Sequence, residues 1–445
     1  MSPALEERLR RRLAEVQAGD RLPSVSAALG HRGDTVWIGS AGLADPEAGR
    51  EPTADDQYRI GSITKLFTAI AIMQLREEGA LQLDDPLQRH LDEAPSKAPT
   101  IRRMLSHTSG MQREVPGDAW ITLRIPDRDQ LMASLDEAEQ VLDPGTAFHY
   151  SNLAFSLLGD VVARLRDQAW RDVIRERITG PLGMERTSPE PSNPRATGYL
   201  VMPYSDEARA EPALDLGGAE PAGQLWSTPS DLLRLGGFLA SGEGDVLRPE
   251  TVEEMHAVQV MTNPEWTLGW GLGPILFRRG ERILAGHDGA MPGYLASLLY
   301  DRTTRTVASV LTSSGAGHDT YEIAAGLLDE ASADLAAEPD MWRPGEAPPA
   351  ELAGLLGEWW SEGEQFVFSW RGGSLQARMA GSPAGRAPAI FEPDGDDRFR
   401  VKSGRERGEL LLVIRNEDGV PTQLRWAGYA ATRDPRAFAD LAHQP

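Results

Sequence analysis

The sequence predicts an α+β domain followed by a small all-β, barrel-like domain. Strand patterns lie near both ends of the first 337 residues, and a stretch of helix and loop separates them. This order favours a single sheet whose strands are split by a helical insertion. In the last hundred residues, short strands alternate with Gly, Asp and Pro turns at the even spacing of a sandwich or barrel.

The first domain is predicted over residues 1–337. An amphipathic helix over residues 3–18 precedes a hairpin formed by Ser24–Gly30 and Thr35–Ala41. A second helix begins near Ser62 and ends at about Glu78. The later elements are the helix Asn152–Arg164, the strands Gly269–Phe277, Arg282–Ala285, Tyr294–Tyr300 and Thr306–Leu311, and a closing helix over Asp319–Ala336.

A Pro-rich linker is predicted over residues 338–350, because four prolines fall within residues 339–349. The second domain is then predicted over residues 351–445. Its expected strands are Phe366–Trp370, Leu375–Met379, Ala389–Glu392, Phe399–Lys402, Leu410–Arg415 and Thr422–Trp426.

Composition excludes several classes of function. The 445 residues contain no cysteine, which removes disulfides, thiolate nucleophiles and cysteine-ligated metals. The net charge of −22 argues against binding to nucleic acid or to an anionic membrane surface. The eight histidines show no His-x-x-x-His spacing, so no metal and no cofactor are predicted.

The sequence predicts a cytoplasmic protein. Residues Met1–Arg8 lack the apolar core of a signal peptide. The longest apolar-rich stretch, Leu66–Leu75, is too short to cross a bilayer.

Ser62 and Lys65 form the first candidate for chemistry. They are three residues apart at the start of a helix, so their side chains share one face. The positive end of the helix and burial both favour a neutral lysine, and a neutral amine beside a hydroxyl is an activated nucleophile pair. Arginine could not replace the base, since it does not lose its proton. The alternative is a helix-capping serine beside a solvated lysine.

Tyr150 and Asn152 form the second candidate. They follow a Pro144–Gly145 turn and precede a helix. A phenol near a lysine can act as base or acid, and an amide can orient a lysine or a substrate carbonyl. The alternative is that Tyr150 packs and Asn152 caps the helix.

The third candidate is Gly286–Ala290, which includes His287 and Gly289 and joins two predicted strands. Its glycines permit close approach of a substrate to the backbone. One of its N–H groups could pair with the N–H of Ser62 as an oxyanion hole. Alone, the segment is equally typical of a structural hairpin.

Together, Ser62-x-x-Lys65, Tyr150-x-Asn152 and His287-x-Gly289 resemble the motifs of the penicillin-recognising serine hydrolases. The resemblance is strongest to the class C β-lactamase-like branch, which includes esterases, D-aminopeptidases and related peptidases. Supporting segments are residues 104–111, 181–187, 226–232 and 269–271. The resemblance implies a β-lactamase/transpeptidase-like fold, an antiparallel sheet with a helical subdomain.

The resemblance also implies roles. Ser62 would be acylated, and Lys65 and Tyr150 would share general acid–base work. Asn152 would orient Lys65 and the substrate, and His287 would stand beside the nucleophile. The N–H groups of Ser62 and Ala290 would form the oxyanion hole.

Two departures from the family pattern bear on the substrate. His287 replaces a lysine, so the permanent cation that holds a β-lactam carboxylate is missing. Gln224 stands where relatives commonly have glycine, and could narrow the pocket or add a polar contact. The first departure favours esterase or peptidase activity over efficient β-lactam hydrolysis.

The sequence therefore predicts a serine hydrolase for small esters, amides or short peptides, including those with D-amino acids. The alternatives are an acyltransferase, a weak β-lactamase or a non-catalytic binding protein of the same fold. By layout, the second domain resembles the lipocalin-like barrel that some family peptidases carry. In those peptidases it supports assembly, so a homo-oligomer is also considered.

Overall fold

The computed structural model describes residues 2–94, 98–332, 334–335, 342–383 and 386–437. Parts of three sequence predictions lie outside these ranges: residues 333 and 336 of the closing helix, residues 338–341 of the linker, and residues 384–385 and 438–445 of the second domain. Contacts divide the chain into two compact units, residues 1–336 and 337–445.

The helices of the described residues are confined to the first unit, apart from short 3-10 turns. Helix α1 shows how a local signal sets a boundary: Ser2 caps it by accepting a hydrogen bond from the N–H of Leu5, and Pro3 takes its first position. The α-helices are α1 Pro3–Gly19, α2 Thr64–Glu77, α3 Ile101–Leu105, α4 Ala119–Thr122, α5 Arg128–Ala133, α6 Asn152–Arg166, α7 Trp170–Ile174, α8 Glu220–Gly223, α9 Pro229–Ser241, α10 Pro249–Met255 and α11 Thr320–Ser332.

Twelve strands of the described residues lie in the first unit. They are β1 Ser24–His31, β2 Asp34–Gly42, β3 Tyr58–Arg59, β4 Tyr199–Val201, β5 Ala208–Ala210, β6 Trp226–Ser227, β7 Val260–Met261, β8 Leu268–Trp270, β9 Ile275–Arg279, β10 Arg282–Met291, β11 Tyr294–Asp301 and β12 Thr306–Thr312. Eight of them form one antiparallel sheet in the order β2-β1-β12-β11-β10-β9-β8-β7.

Two hydrophobic cores sandwich this sheet. On one side, α1 and α11 pack on it, with Leu5, Leu9 and Leu13 of α1 fully or almost fully buried. The larger core contains α2, α6 and α9 on the other side. Every residue of α2 from Thr64 to Leu75 is buried, so this helix lies in the centre of the unit. Because α2 is packed on all sides, the side chains of its first turn, including Lys65, are held in fixed positions.

The second unit is a closed antiparallel barrel of eight strands. The strands are β13 Gly357–Ser361, β14 Glu364–Arg371, β15 Ser374–Met379, β16 Ala389–Pro393, β17 Arg398–Val401, β18 Leu410–Arg415, β19 Pro421–Trp426 and β20 Tyr429–Thr432. A 3-10 segment, Ala350–Leu355, precedes them.

Three details of the sequence prediction are corrected. The predicted strand Gly269–Phe277 is two strands, because Gly273 has a positive φ and the turn packs against Ala69 of α2. The segment Gly286–Ala290 is not a turn but lies inside β10, and the chain reverses at Pro292–Gly293. The barrel has eight strands rather than the six that were predicted. The two strands missing from the prediction are β13 and β20, which are short and show little alternation in the sequence.

Candidate active site

Ser62 lies in a 3-10 turn, Gly61–Ile63, that leads directly into α2. The main chain of this turn packs directly against the main chain of β10. A Cβ on Gly289 would lie 1.9 Å from the carbonyl oxygen of Ile60, and a Cβ on Gly61 would lie 2.6 Å from the nitrogen of Ala290. Only glycine fits at both positions, so the sequence brings the main chain of Ser62 beside that of Ala290.

Lys65 lies one helical turn beyond Ser62 and is completely buried. Its Nζ is 2.7 Å from Asn152 Oδ1, 2.7 Å from the carbonyl oxygen of Ala222 and 3.1 Å from Ser62 Oγ. A neutral amine has two N–H donors and one lone pair. If the donors go to the two shorter contacts, with Asn152 and Ala222, the lone pair is left facing the hydroxyl of Ser62.

The surroundings of Lys65 favour this neutral state. Burial lowers the pKa of Lys65 well below its usual range. The Glu114 carboxylate opposes this shift of the pKa, and the Arg113 guanidinium adds to it. Desolvation is the largest cause, so the neutral amine is available as a base at a lower pH than it would be on an exposed lysine.

Asn152 is the first residue of α6, and Ser151 rather than Asn152 caps that helix. The Ser151 hydroxyl accepts a hydrogen bond from the N–H of Ala154 at 3.0 Å. The Asn152 side chain is therefore available to bridge, with Oδ1 accepting from Lys65 and Nδ2 donating to Glu114 Oε1 at 2.8 Å. The alternative in which Asn152 caps the helix is therefore wrong, since Ser151 takes that role.

Tyr150 lies over Lys65, whose Nζ is 5.0 Å from the centre of the phenol ring. Burial raises the pKa of Tyr150, and a hydrogen bond to Ser62 and the charge of Arg113 partly offset this. The ring stacks on His107 at 4.2 Å, and His107 Nδ1 accepts the N–H of Ser151 at 3.1 Å. Tyr150 is therefore a neutral phenol held rigidly beside the serine.

His287 lies on β10 and is 2% exposed. Its Nδ1 is 2.6 Å from the carbonyl oxygen of Asp288, and its ring lies edge-on to Trp270. Burial and the nearby Lys65 lower the pKa of His287 to about 3. The residue that replaces the family lysine is consequently uncharged at neutral pH.

A cleft opens in front of Ser62. Glu114 and Asn152 are its polar residues, and Ala290 and Gly223 contribute backbone. Its apolar lining consists of Val115, Trp120, Ile125, Leu216, Ala219, Ala222 and Met291. The Trp120 indole donates to Glu114 Oε2 at 2.9 Å, which fixes the carboxylate at the edge of an apolar surface.

Glu114 and the carbonyl of Ala222 were missed by sequence reasoning. Glu114 is one of 67 acidic residues and lies in a loop outside any recognised motif. Ala222 acts through its main chain, and main-chain groups leave no trace in residue identity. The sequence therefore contains no pattern that would have identified either group.

The prediction for Gln224 was wrong. Its side chain does not line the described cleft. Gln224 Oε1 accepts hydrogen bonds from Arg59 and from the N–H of Leu216, and Nε2 donates to the carbonyl of Pro189. These three hydrogen bonds engage both ends of the Gln224 amide and tie together the segments that contain Arg59, Pro189 and Leu216.

Within the described residues, no group of three or more His, Asp or Glu side chains is arranged to hold a metal ion. The described helices include none with the length and apolar character needed to cross a membrane.

Residues 9–333 match the family model described as Beta-lactamase. The chain belongs to the beta-lactamase family. Residues 348–433 match a second model, a domain of unknown function designated DUF7586. The chain is 30% identical to a human protein named beta-lactamase-like 1 over 369 residues, which cover 78% of this chain and 73% of that protein. It is 31% identical to esterase EstB of Burkholderia gladioli over 51% of this chain and 64% of the esterase.

Two of the solved structures that resemble this chain bear on its fold and its substrate. The D-amino acid amidase from Ochrobactrum anthropi SV3, solved with D-phenylalanine, has a TM-score of 0.66 at 25% identity, over 74% of this chain and 99% of the amidase. An octameric penicillin-binding protein homologue from Pyrococcus abyssi has a TM-score of 0.66 at 23% identity, over 96% of this chain and 99% of the homologue. The second likeness shows that both units of this beta-lactamase family chain share that protein's fold.

These findings confirm the predicted family, fold class and enzyme class, a serine hydrolase. The domain boundaries, the roles of the site residues and the lipocalin-like relationship of the barrel remain predictions. A homo-oligomer also remains a prediction.

Proposed function

We propose that Ser62 forms an acyl-enzyme with small esters or amides whose acyl group carries a free amine and an apolar side chain. The formation of an acyl-enzyme on Ser62 is supported by the arrangement of groups around Lys65. Two acceptors at 2.7 Å engage the N–H groups of the amine, and Ser62 Oγ at 3.1 Å faces the remaining position.

Lys65 is the general base in the first step. Its lone pair takes the proton of Ser62 as Oγ attacks the substrate carbonyl. The N–H groups of Ser62 and Ala290 stabilise the resulting oxyanion. The proton then leaves with the amine or alcohol of the substrate through the Tyr150 hydroxyl. Water enters by the reverse path and releases the acid from Ser62.

Glu114 and the apolar cleft support an amino-acyl substrate. The carboxylate of Glu114 lines the cleft beside Asn152 and Ser62, where the ammonium of an amino-acyl group would be close to the reacting carbonyl. The apolar residues around it, including Trp120 and Met291, suit a hydrophobic side chain.

The state of His287 supports this choice over β-lactams. An uncharged imidazole offers no permanent cation for the carboxylate of a penicillin. Preference for the D-configuration is proposed from the similarity to the D-amino acid amidase alone.

The test is a substrate panel with mass detection of acylated Ser62. We expect turnover of D-phenylalanine amide, slower turnover of L-phenylalanine amide, and poor turnover of N-acetyl-D-phenylalanine amide, which lacks the ammonium. p-Nitrophenyl acetate also lacks the ammonium, but we expect it to acylate Ser62 because nitrophenolate is a far better leaving group than an amine. Ser62→Ala should abolish all of them. Equal activity in Ser62→Ala would refute the nucleophile, and equal rates for free and acetylated amides would refute the role of Glu114.

A further inference from the structure

The barrel of the second unit is sealed at one end. The 3-10 segment Ala350–Leu355 places Leu352 and Leu355 in the barrel core. The indole of Trp359 donates to the carbonyl of Leu355 at 2.7 Å, and Arg415, at the end of β18, donates to the carbonyl of Glu351 at 3.1 Å. This plug occupies the end where β18 turns into β19.

The opposite end is open and holds a cavity of about 590 Å³. Its described lining comes from the turns joining β13 to β14 and β19 to β20, from the end of β15, and from the segments between β15 and β16 and between β17 and β18. Alanines at three inward positions leave the space that larger residues fill elsewhere in the core. The wall residues are Phe366, Ala377, Met379, Ala389, Trp426 and Ala431.

One wall residue offers an unused hydrogen-bond donor. The Trp426 ring is held edge-on by Phe366 at 5.4 Å and Phe391 at 5.3 Å. Its Nε1 is buried and has no partner within the described residues. Buried donors are normally paired, so this indole N–H lacks an acceptor. The nitrogen is closed to solvent in this conformation, so a bound molecule supplies that acceptor only if the ring turns towards the cavity.

We propose that the open end of the barrel binds a small molecule with an apolar ring or chain and one hydrogen-bond acceptor, the latter received by Trp426. The volume is within the range of small-molecule cavities, and an eight-stranded barrel is just wide enough for one small ligand. The described rim carries three arginines and four glutamates, so an anionic acceptor would meet cations as well as anions there.

The test uses two fluorescent probes with the same skeleton. N-phenyl-1-naphthylamine is apolar, and 8-anilino-1-naphthalenesulfonate adds a sulfonate acceptor. Both are titrated against the full chain, and we expect both to bind. Trp426→Phe should weaken the sulfonate probe by about three- to tenfold and leave the other unchanged, since it removes one hydrogen bond.

A pair of leucine variants tests the location. Ala377→Leu fills the cavity, and we expect it to weaken both probes by about tenfold or more. The matched control is Val367→Leu on the same hairpin, because Val367 is exposed on the outside of the barrel. It should bind both probes like the parent chain.

Hydrogen exchange of the full chain with and without the sulfonate probe keeps the proposal falsifiable if Ala377→Leu fails to fold. Protection of residues 361–366 and 426–431 is expected. Protection confined to residues 114–125 would assign the probe to the Ser62 cleft and overturn the proposal. Absence of binding, or equal binding by Ala377→Leu and Val367→Leu, would overturn it as well.

Discussion

Lys65 is the residue whose chemistry is hardest to replace. Arginine at this position would keep the positive charge but could not accept the proton of Ser62. We expect Lys65→Arg to lower kcat/KM for p-nitrophenyl acetate by about 10²–10⁴, the usual contribution of a general base. Lys402→Arg is the control, since Lys402 pairs with Glu392 on the barrel. Activity of Lys65→Arg within a few-fold of the parent would refute the base assignment.

Glu114 and Arg113 act on the Lys65 pKa in opposite directions, which gives a signed prediction for the pH profile. The rate should fall on the acid side as Lys65 becomes protonated. Glu114 raises this pKa, so Glu114→Gln should move the acid limb to lower pH. Arg113 lowers it, so Arg113→Gln should move the limb to higher pH.

The measurement for this pair is kcat/KM against pH with p-nitrophenyl acetate, which has no ammonium for Glu114 to bind. Glutamine at position 114 can still accept from Asn152, so the bridge to Lys65 is retained. Shifts of the same sign in both variants would show that Lys65 does not set the limb.

At the scale of elements, the contact between β10 and the Ser62 turn depends on Gly289. A Cβ there would lie 1.9 Å from the carbonyl oxygen of Ile60. We expect Gly289→Ala to cost about 1–3 kcal/mol of stability, as overpacking does, and to lower kcat by displacing the Ala290 amide. Denaturant unfolding and ester kinetics measure the two effects.

Gly237→Ala is the matched control for Gly289→Ala. Gly237 lies in α9 with open space around its Cα, so an added methyl meets nothing within 4 Å. The substitution should leave kcat unchanged and raise stability, since alanine is the better helix former by about 1 kcal/mol. A Gly289→Ala variant that behaves like Gly237→Ala would argue against the close contact.

The elements also explain what could be predicted from the sequence. Ser62, Lys65, Tyr150 and Asn152 were found because each belongs to a motif with fixed spacing at the start of α2 or α6. The carbonyl of Ala222 could not be found, because it reaches Lys65 only through the packing of α8 against α2 and α6. A Cβ on Gly159 of α6 would lie 2.0 Å from Pro221, so that approach depends on a tertiary contact.

Strand boundaries failed for a related reason. A strand is visible in the sequence when large apolar residues stand at every second position, as in β14, or form a continuous run, as in β18. Neither pattern is present in β13, which begins at a glycine with a positive φ, or in β20, which has four residues of which two are alanine. Pairing with neighbours, such as Trp360 with Thr432, decides these short strands.

At the scale of the whole molecule, the two units have separate hydrophobic cores. All the described contacts of Ser62 and Lys65 lie within the first unit. We expect a chain that ends at Glu338 to keep acylation of Ser62, measured by mass after reaction with a fluorophosphonate. We also expect its oligomeric state or the range of substrate sizes to change.

Size-exclusion chromatography with light scattering and a series of peptide lengths measure the second part of that prediction. Loss of acylation in the shortened chain would show that the first unit does not function alone. If neither oligomeric state nor size range changes, the barrel has no role in assembly or access.

Burial of Lys65 has a consequence for the folding equilibrium itself. In the unfolded chain this amine is protonated at neutral pH, whereas its folded pKa is depressed. Between the folded and the unfolded pKa values, folding expels a proton to solvent, and the contribution of Lys65 to stability increases with pH. The neutral amine that would activate Ser62 therefore costs folding free energy. Acidification is expected to lower the activity and the stability of the protein together.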